Sequence, residues 1–310
     1  MKHRVAVVGL GGIAQKGHLP VLQAMEDVEL VYYGRHEEKV KPLAEQHRVA
    51  RSTTSLDQLL EWGVNAVFIL TPVPTHLELT EFFLNAGVDV MLEKPAGSTS
   101  AEARRMAQLA DEKERILMVA YNRRFAPLSI KAKELWGNRP VTLAHMQKSR
   151  SKPGYQGLYF FVNEELVHVI DLLRFLCGEA EALHTSYTLG ENESVLEVLT
   201  SLKLAGGGYA TISASSQAGQ WYEHYELNGG GSTLRMNTFY NLQLIDEKSA
   251  QSWIEPYASQ WTSNLVGRGF VGQIEHFFQC VETRQQPITN GWDSVKTQEL
   301  VEDIMAKIKP

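Results

Sequence analysis

The chain has 310 residues, 44% of them hydrophobic and 21% charged, which excludes a disordered, collagen-like or low-complexity protein and leaves length for about two domains of ~150 residues each. Thirty Lys and Arg against 36 Asp and Glu give a formal charge of −6, so the basic excess that draws proteins to nucleic acid is missing. Only two cysteines, Cys177 and Cys280, are present, and no apolar run approaches the roughly 18 residues of a membrane span. The expectation is a cytoplasmic chain with free thiols, no membrane segment and no metal site.

The opening Met1-Lys2-His3-Arg4 has the charge of a signal peptide, but Val5–Leu10 runs straight into glycines and reads instead as a buried strand. Val5–Val8, Val28–Tyr33, Ala66–Leu70, Val88–Leu92 and Ile116–Ala120 are short apolar runs of the kind that parallel strands show under helices on both faces. Helical stretches separate them. Ser55 with Gln58, Thr75 with Glu78 and Thr99 with Glu102 each fit a capping box, and Gly63 and Gly87 stand where a left-handed residue ends a helix. The alternation predicts an α/β fold, a doubly wound parallel sheet over residues 1–122.

Beyond that point the texture changes. Lys148–Gly157 reads as a loop and Glu164–Leu176 as a helix. Val195–Leu204, Tyr209–Ser215, Tyr222–Leu227 and Leu242–Ile245 then read as strands with glycine turns between them. Helices at Phe270–Thr283 and Asp293–Lys309 close the chain. Residues 123–310 are expected to form one α+β domain with a mainly antiparallel open sheet.

The sharpest local signal is Gly9-Leu10-Gly11-Gly12-Ile13-Ala14, between the first strand and a helix. Gly9 suits a tight turn, Gly11 lets backbone approach a pyrophosphate, and Ala14 allows close helix–strand packing, the pattern of a Rossmann dinucleotide fingerprint. The helix N-terminus adds orphan N–H donors and positive dipole. At the end of the second strand the fingerprint calls for a carboxylate on the ribose hydroxyls, but the residues are Gly34-Arg35-His36. Arg35 either pairs with a 2′-phosphate, favouring NADP over NAD, or lies solvated in the loop. Thr71-Pro72-Val73-Pro74-Thr75-His76 and Glu93-Lys94-Pro95 follow two further strands, at the sheet edge where ligands bind. Lys94 can donate to a substrate hydroxyl or join a proton relay there; taken alone it could as well be ion-paired.

These motifs, with Tyr121-Asn122-Arg123-Arg124-Phe125 and His168-Val169-Ile170-Asp171-Leu172-Leu173, occur in the order seen in the glucose–fructose oxidoreductase, inositol dehydrogenase and rhizopine-catabolism (Gfo/Idh/MocA) family, and the chain resembles its MviM-like subgroup. The resemblance implies an NAD(P)-dependent dehydrogenase or reductase acting on CH–OH groups of a sugar, cyclitol or related polyol or keto compound. A tightly held cofactor in a glycosidase of the same fold, or a regulatory protein that binds cofactor without turnover, are the other implied possibilities. The second domain would bind substrate and join copies into a homodimer or homotetramer through its sheet.

Residue by residue, the resemblance makes Lys94 and His168 the catalytic pair, with a histidine near neutral pKa suited to exchanging the hydroxyl proton. It assigns the cofactor to Gly9, Gly11, Gly12, Ile13, Ala14, Arg35, Thr71, Pro72, His76, Glu93, Lys94, Asn122 and Arg123. Arg123 and Arg124 could equally be held in an ion pair. The family places an aspartate four residues before the histidine and a glycine two before it; this chain has Glu164 and Leu166. Glu164 can share a helix face with His168, but with longer reach, and Leu166 could narrow the substrate space. Asp171 reads as structural. Tyr155, Tyr159, Phe160 and Phe161 could wall a sugar or simply pack, and Trp221, Tyr222, His224 and Tyr225 lie on a strand suited to a subunit contact.

Overall fold

The computed structural model describes residues 3–237, 240–254 and 264–308; Met1, Lys2 and Lys309 of the readings above lie outside these. The chain divides into two compact units, Met1–Tyr121 with Phe270–Lys296, and Asn122–Gly269 with Thr297–Pro310. The stretch 123–310, which reads as one domain in sequence, is therefore shared between them. Amphipathic spacing shows that the helix Phe270–Thr283 has an apolar face, not which sheet that face covers. Its Phe277 and Phe278 rings pack on Phe68 at centroid distances of 5.4 and 6.1 Å, inside the first unit.

The first unit holds β1 (His3–Val8), β2 (Val28–Tyr33), β3 (Arg51–Thr53), β4 (Ala66–Ile69), β5 (Asp89–Leu92) and β6 (Leu117–Val119). They form one parallel sheet in the order β3-β2-β1-β4-β5-β6, the doubly wound arrangement, whose chain reversal beside β1 opens a crevice at the strands' carboxyl ends. Val5 to Val8 and Ala66 to Ile69 are fully buried, as strands covered on both faces must be. The edge strand β3 carries only Arg-Ser-Thr and gives no apolar signal. Two of the three capping boxes form on their hydroxyl side: Ser55 Oγ accepts from Gln58 N at 3.3 Å and Thr99 Oγ1 from Glu102 N at 3.2 Å. Thr75 does not cap its helix. Its hydroxyl donates to Pro72 O at 2.8 Å and lies 2.7 Å from Thr71 Oγ1, because the preceding turn, Val73–Thr75, is already helical.

The second unit holds β7 (Leu143–Ser149), β8 (Ala180–Leu189), β9 (Val195–Leu204), β10 (Tyr209–Ser215), β11 (Tyr222–Gly229), β12 (Ser232–Asn237), β13 (Asn241–Asp246) and β14 (Ala250–Ile254). The order is β14-β13-β12-β11-β7-β10-β9-β8. All pairs are antiparallel except β7 with β10. Lys148 and Ser149 thus belong to a strand rather than to the loop read over Lys148–Gly157. Ala144, Met146 and Lys148 alternate onto the buried face, and a lysine in an inward slot hides the period-two pattern. A π-helical turn, Phe161–Leu166, runs into the helix Val167–Cys177, which buries Val167, Val169, Ile170, Leu172, Leu173 and Leu176. Among the described residues no helix is long and apolar enough to cross a membrane.

Candidate active site

Gly9 leaves β1 with φ +97°, and a Cβ there would lie 2.6 Å from the Leu70 carbonyl oxygen. Both the backbone conformation and the approach to the end of β4 demand glycine. A Cβ at Gly11 or Gly12 would meet nothing within 4 Å, because open space lies beside the loop. Beside Gly11 lies a cavity of about 890 Å³, within the range of cofactor pockets, and Gly9, Leu10, Gly11, Arg35, Thr71 and Pro72 are among its lining residues. Arg35, His36 and Lys39 bring three basic side chains to the side near the end of β2, and Glu78 lines it from another helix. Gly12, Ile13 and Ala14 are outside the lining; Ile13 is 42% exposed at the start of the helix, while Ala14 is buried. The glycine cradle, the room beside it and the cationic end fit a dinucleotide with a further phosphate.

A second cluster stands after β5. The Glu93 carboxylate is buried, with Oε1 3.0 Å from His18 Nε2 and Oε2 accepting from Lys94 N at 2.9 Å. Burial alone would raise its pKa, but the His18 hydrogen bond, the Lys94 charge and the Lys94 backbone N–H hold it below the ordinary carboxylate value. The Lys94–Pro95 peptide is cis. On its other side His76, also buried, sets Nδ1 3.0 Å from the Pro95 carbonyl and Nε2 2.9 Å from that of Thr71. Burial pulls the His76 pKa down against these two carbonyls and Glu93. His76 and Glu93 do not line the cavity; they tie its Thr71 side to the Lys94 loop.

In the second unit His168 lies in the helix Val167–Cys177 and Glu164 in the π turn before it. Leu166 is a core residue, 1% exposed. Arg123 and Glu223 form a two-fold guanidinium–carboxylate pair, with Arg123 Nε at 2.7 Å from Glu223 Oε2. Tyr225 donates to the same oxygen at 2.6 Å. Arg124 pairs in the same manner with Asp171, which also accepts from Thr297. Both arginines are thus engaged inside this unit, and Asn122 Nδ2 donates to the Arg268 carbonyl at 2.8 Å. Asp171 is thus held by Arg124 and Thr297 within this unit.

Sequence reasoning missed Lys148 and Glu223, and gave Glu165 only as a neighbouring alternative to Glu164 on a different helix face. The Lys148 ammonium, buried on β7, reaches Glu165 Oε1 at 3.0 Å, the Glu165 carbonyl at 3.1 Å and Glu223 Oε1 at 3.7 Å. It therefore anchors the π turn that carries Glu164 and leads to His168. Burial and the Arg123 charge bring its pKa down to about 8, against the pull of Glu223 and Glu165. A buried charge network of this kind leaves no local motif, since its members come from three separate elements. His18 was also missed, and a lone histidine in an apolar stretch gives no signal of its partner.

The family model for oxidoreductases with an NAD-binding Rossmann fold, GFO_IDH_MocA, matches residues 3–121. The oxidoreductase named YceM of Salmonella typhimurium is 32% identical over 302 residues, covering 96% of this chain and 96% of that protein. The chain belongs to the Gfo/Idh/MocA family. A D-apiose dehydrogenase of Paraburkholderia graminis is 27% identical over 83% of this Gfo/Idh/MocA protein and 72% of the relative. The crystal structure of the MviM dehydrogenase from Clostridium difficile superposes with a TM-score of 0.89, at 25% identity and 99% coverage of both chains. This Gfo/Idh/MocA member is accordingly an NAD-binding oxidoreductase of two-part architecture, with a Rossmann sheet and a large, mostly antiparallel one.

Proposed function

We propose that the protein moves hydride between NADP, in preference to NAD, and a CH–OH or keto carbon of a sugar, cyclitol or related polyol. The observation that carries the cofactor reading is the cavity's basic end: Arg35, His36 and Lys39 stand where a ribose-binding carboxylate would repel a 2′-phosphate. The carbohydrate class is supported by the family and by the D-apiose dehydrogenase relative.

When bound, the nicotinamide gives or receives the hydride. The chain's own residues do the rest. Gly9, Gly11, Gly12 and Ile13, with the helix N–H groups, hold the pyrophosphate. Arg35 holds the 2′-phosphate, and Thr71 and Pro72 wall the cavity. Ala14 keeps the helix close to β1, and His76 and Glu93 hold the loops. Lys94 donates to the reacting oxygen, and His168 takes the hydroxyl proton as hydride leaves carbon, or returns it in reduction, with Glu164 beside it. Asn122 and Arg123 support this end of the chain through Arg268 and Glu223.

Titration of the purified protein with NADPH and NADH in parallel tests the reading. NADPH is expected to bind at least about tenfold tighter, and Arg35→Ser to remove most of that difference, the worth of one charged phosphate contact. Equal affinities in the unaltered protein would sink the NADP preference. A screen of sugars and inositols with the preferred cofactor then tests turnover. A cofactor that copurifies and never exchanges would favour the glycosidase alternative.

Localisation is read as cytoplasmic, from the free thiols. We also read the protein as a homodimer or homotetramer joined through the sheet of the second unit, where Leu199 and Tyr209 are 52% and 55% exposed. Sedimentation at micromolar concentration should give a multiple of 34.8 kDa; a monomer would contradict this.

A further inference from the structure

His18 is a residue that neither glycine fingerprint nor proton chemistry requires, yet it is fully buried and specifically bonded. It closes the π-helical turn Ala14–His18 of the helix that starts at the glycine loop. Single π turns inside helices are frequent at functional sites, because the extra residue re-aims a side chain. Here the turn also presses Gly17 against Phe270, where a Cβ would come within 2.6 Å of the ring. The His18 ring stands edge-on to Phe68 and to Phe270, at centroid distances of 5.8 and 5.5 Å. Its rotation is therefore fixed from two sides.

The hydrogen bonds settle the direction of the contact. His18 Nδ1 is buried and has no partner among the described residues, so a proton there would be an orphan donor, a costly arrangement. The proton belongs on Nε2, which donates to Glu93 Oε1 at 3.0 Å. Glu93 Oε2 accepts the backbone N–H of Lys94 at 2.9 Å. One carboxylate thus joins the helix behind the phosphate loop to the amide of the lysine at the end of β5.

We propose that His18 is a positioning residue for Lys94, holding the Glu93 carboxylate so that Glu93 holds the Lys94 backbone amide; this rests on the catalytic reading of Lys94 given above. Replacing the imidazole with an alkyl group leaves a buried carboxylate short of a donor. Such a group takes up a proton, and a neutral acid is a weaker acceptor for the amide. Glutamine can serve in place of histidine, since its Nε2 reaches a similar point and the imidazole's other nitrogen makes no bond to replace. The linkage also predicts that a ligand on the glycine loop stiffens the Lys94 loop.

The test is amide hydrogen exchange read by mass spectrometry at residues 94, 96 and 97, with and without NADPH, in the unaltered protein, His18→Leu and His18→Gln. His18→Leu is expected to speed exchange at these amides about tenfold, the worth of one lost charged hydrogen bond, while leaving β1 and β4 protected. His18→Gln should stay within about threefold of the unaltered protein, and NADPH affinity should change by less than about threefold in both. NADPH should slow exchange of the loop in the unaltered protein and in His18→Gln, and slow it clearly less in His18→Leu, where only the His76 link between Thr71 and Pro95 remains. Unchanged exchange in His18→Leu, exchange raised throughout the first unit, or loss of NADPH binding that His18→Gln does not restore would each overturn the proposal. Should His18→Leu fail to fold, Glu93→Gln is read at the same amides with the same expected rise. Turnover of Lys94→Ala separates the two ideas: if it persists, the catalytic reading of Lys94 falls, while the exchange data still decide whether His18 holds the loop.

Discussion

Lys94→Ala is expected to cut turnover by about a thousandfold, the usual cost of removing a group that donates to the reacting oxygen, with dinucleotide affinity held within about threefold. The separation follows from where the lysine sits. Glu93, Lys94 and Pro95 leave the carboxyl end of β5, and none of the three lines the cavity beside the glycine loop. The alanine variant keeps the backbone amide that bonds Glu93, so the loop stays in place and only the ammonium is lost. Steady-state rates on the best carbohydrate of the screen, beside NADPH titration, check both halves. A variant that loses cofactor and rate together would place Lys94 in dinucleotide binding instead.

The largest effect on stability is expected from Glu223→Gln. The carboxylate is 2% exposed and holds two buried cations, Arg123 by paired hydrogen bonds and Lys148 at 3.7 Å. Removing one member of such a group leaves its partners charged and dry, at a cost of about 3 to 5 kcal/mol. Urea unfolding should show an earlier midpoint with the same slope. The same network gives a pH signature. Burial would raise the Glu223 pKa, but Arg123 and Lys148 outweigh it and bring the value from 4.5 to about 2. A carboxylate lowered on folding contributes stability that is present above the unfolded value and lost as pH falls through the folded one. The unaltered protein should therefore lose this contribution between about pH 4.5 and 2, and Glu223→Gln should lack that part of the acid loss. A Glu223→Gln midpoint equal to that of the unaltered protein would show that the network is energetically idle.

Much of the first unit is legible in its sequence because its signals are local. The positive φ that asks for glycine at Gly9 is set within one turn, although its close approach to Leu70 is not, and Ser55 and Thr99 cap helices that begin at the next residue. Arg35 is found by counting along the fingerprint, and it lines the cavity as that count suggests. What stays hidden depends on distant partners. His18 meets Glu93 across 75 positions and Arg123 meets Glu223 across 100, and no spacing rule reaches that far. Lys148 is concealed by its own charge, since an inward lysine breaks the alternation by which strands are read. The capping box at Thr75 misleads for the opposite reason: the residue types match, but the prolines on either side of Val73 already set the turn.

The three crossings of the chain between the two units bear on how the protein is made. Val119 N donates to Thr289 O at 2.9 Å, and Arg284 holds both oxygens of Asp89. His18 and Phe68 are covered by Phe270, Phe277 and Phe278. None of these covers exists on a ribosome until residues 270–296 have emerged, so the nucleotide sheet must wait, with an aromatic flank still bare, while the whole strand-rich segment 122–269 is synthesised. A fragment cut at the end of the fingerprint's sheet would carry that bare flank permanently and be prone to self-association. Residues 270–296, translated after the whole strand-rich segment, finish the part that begins folding first.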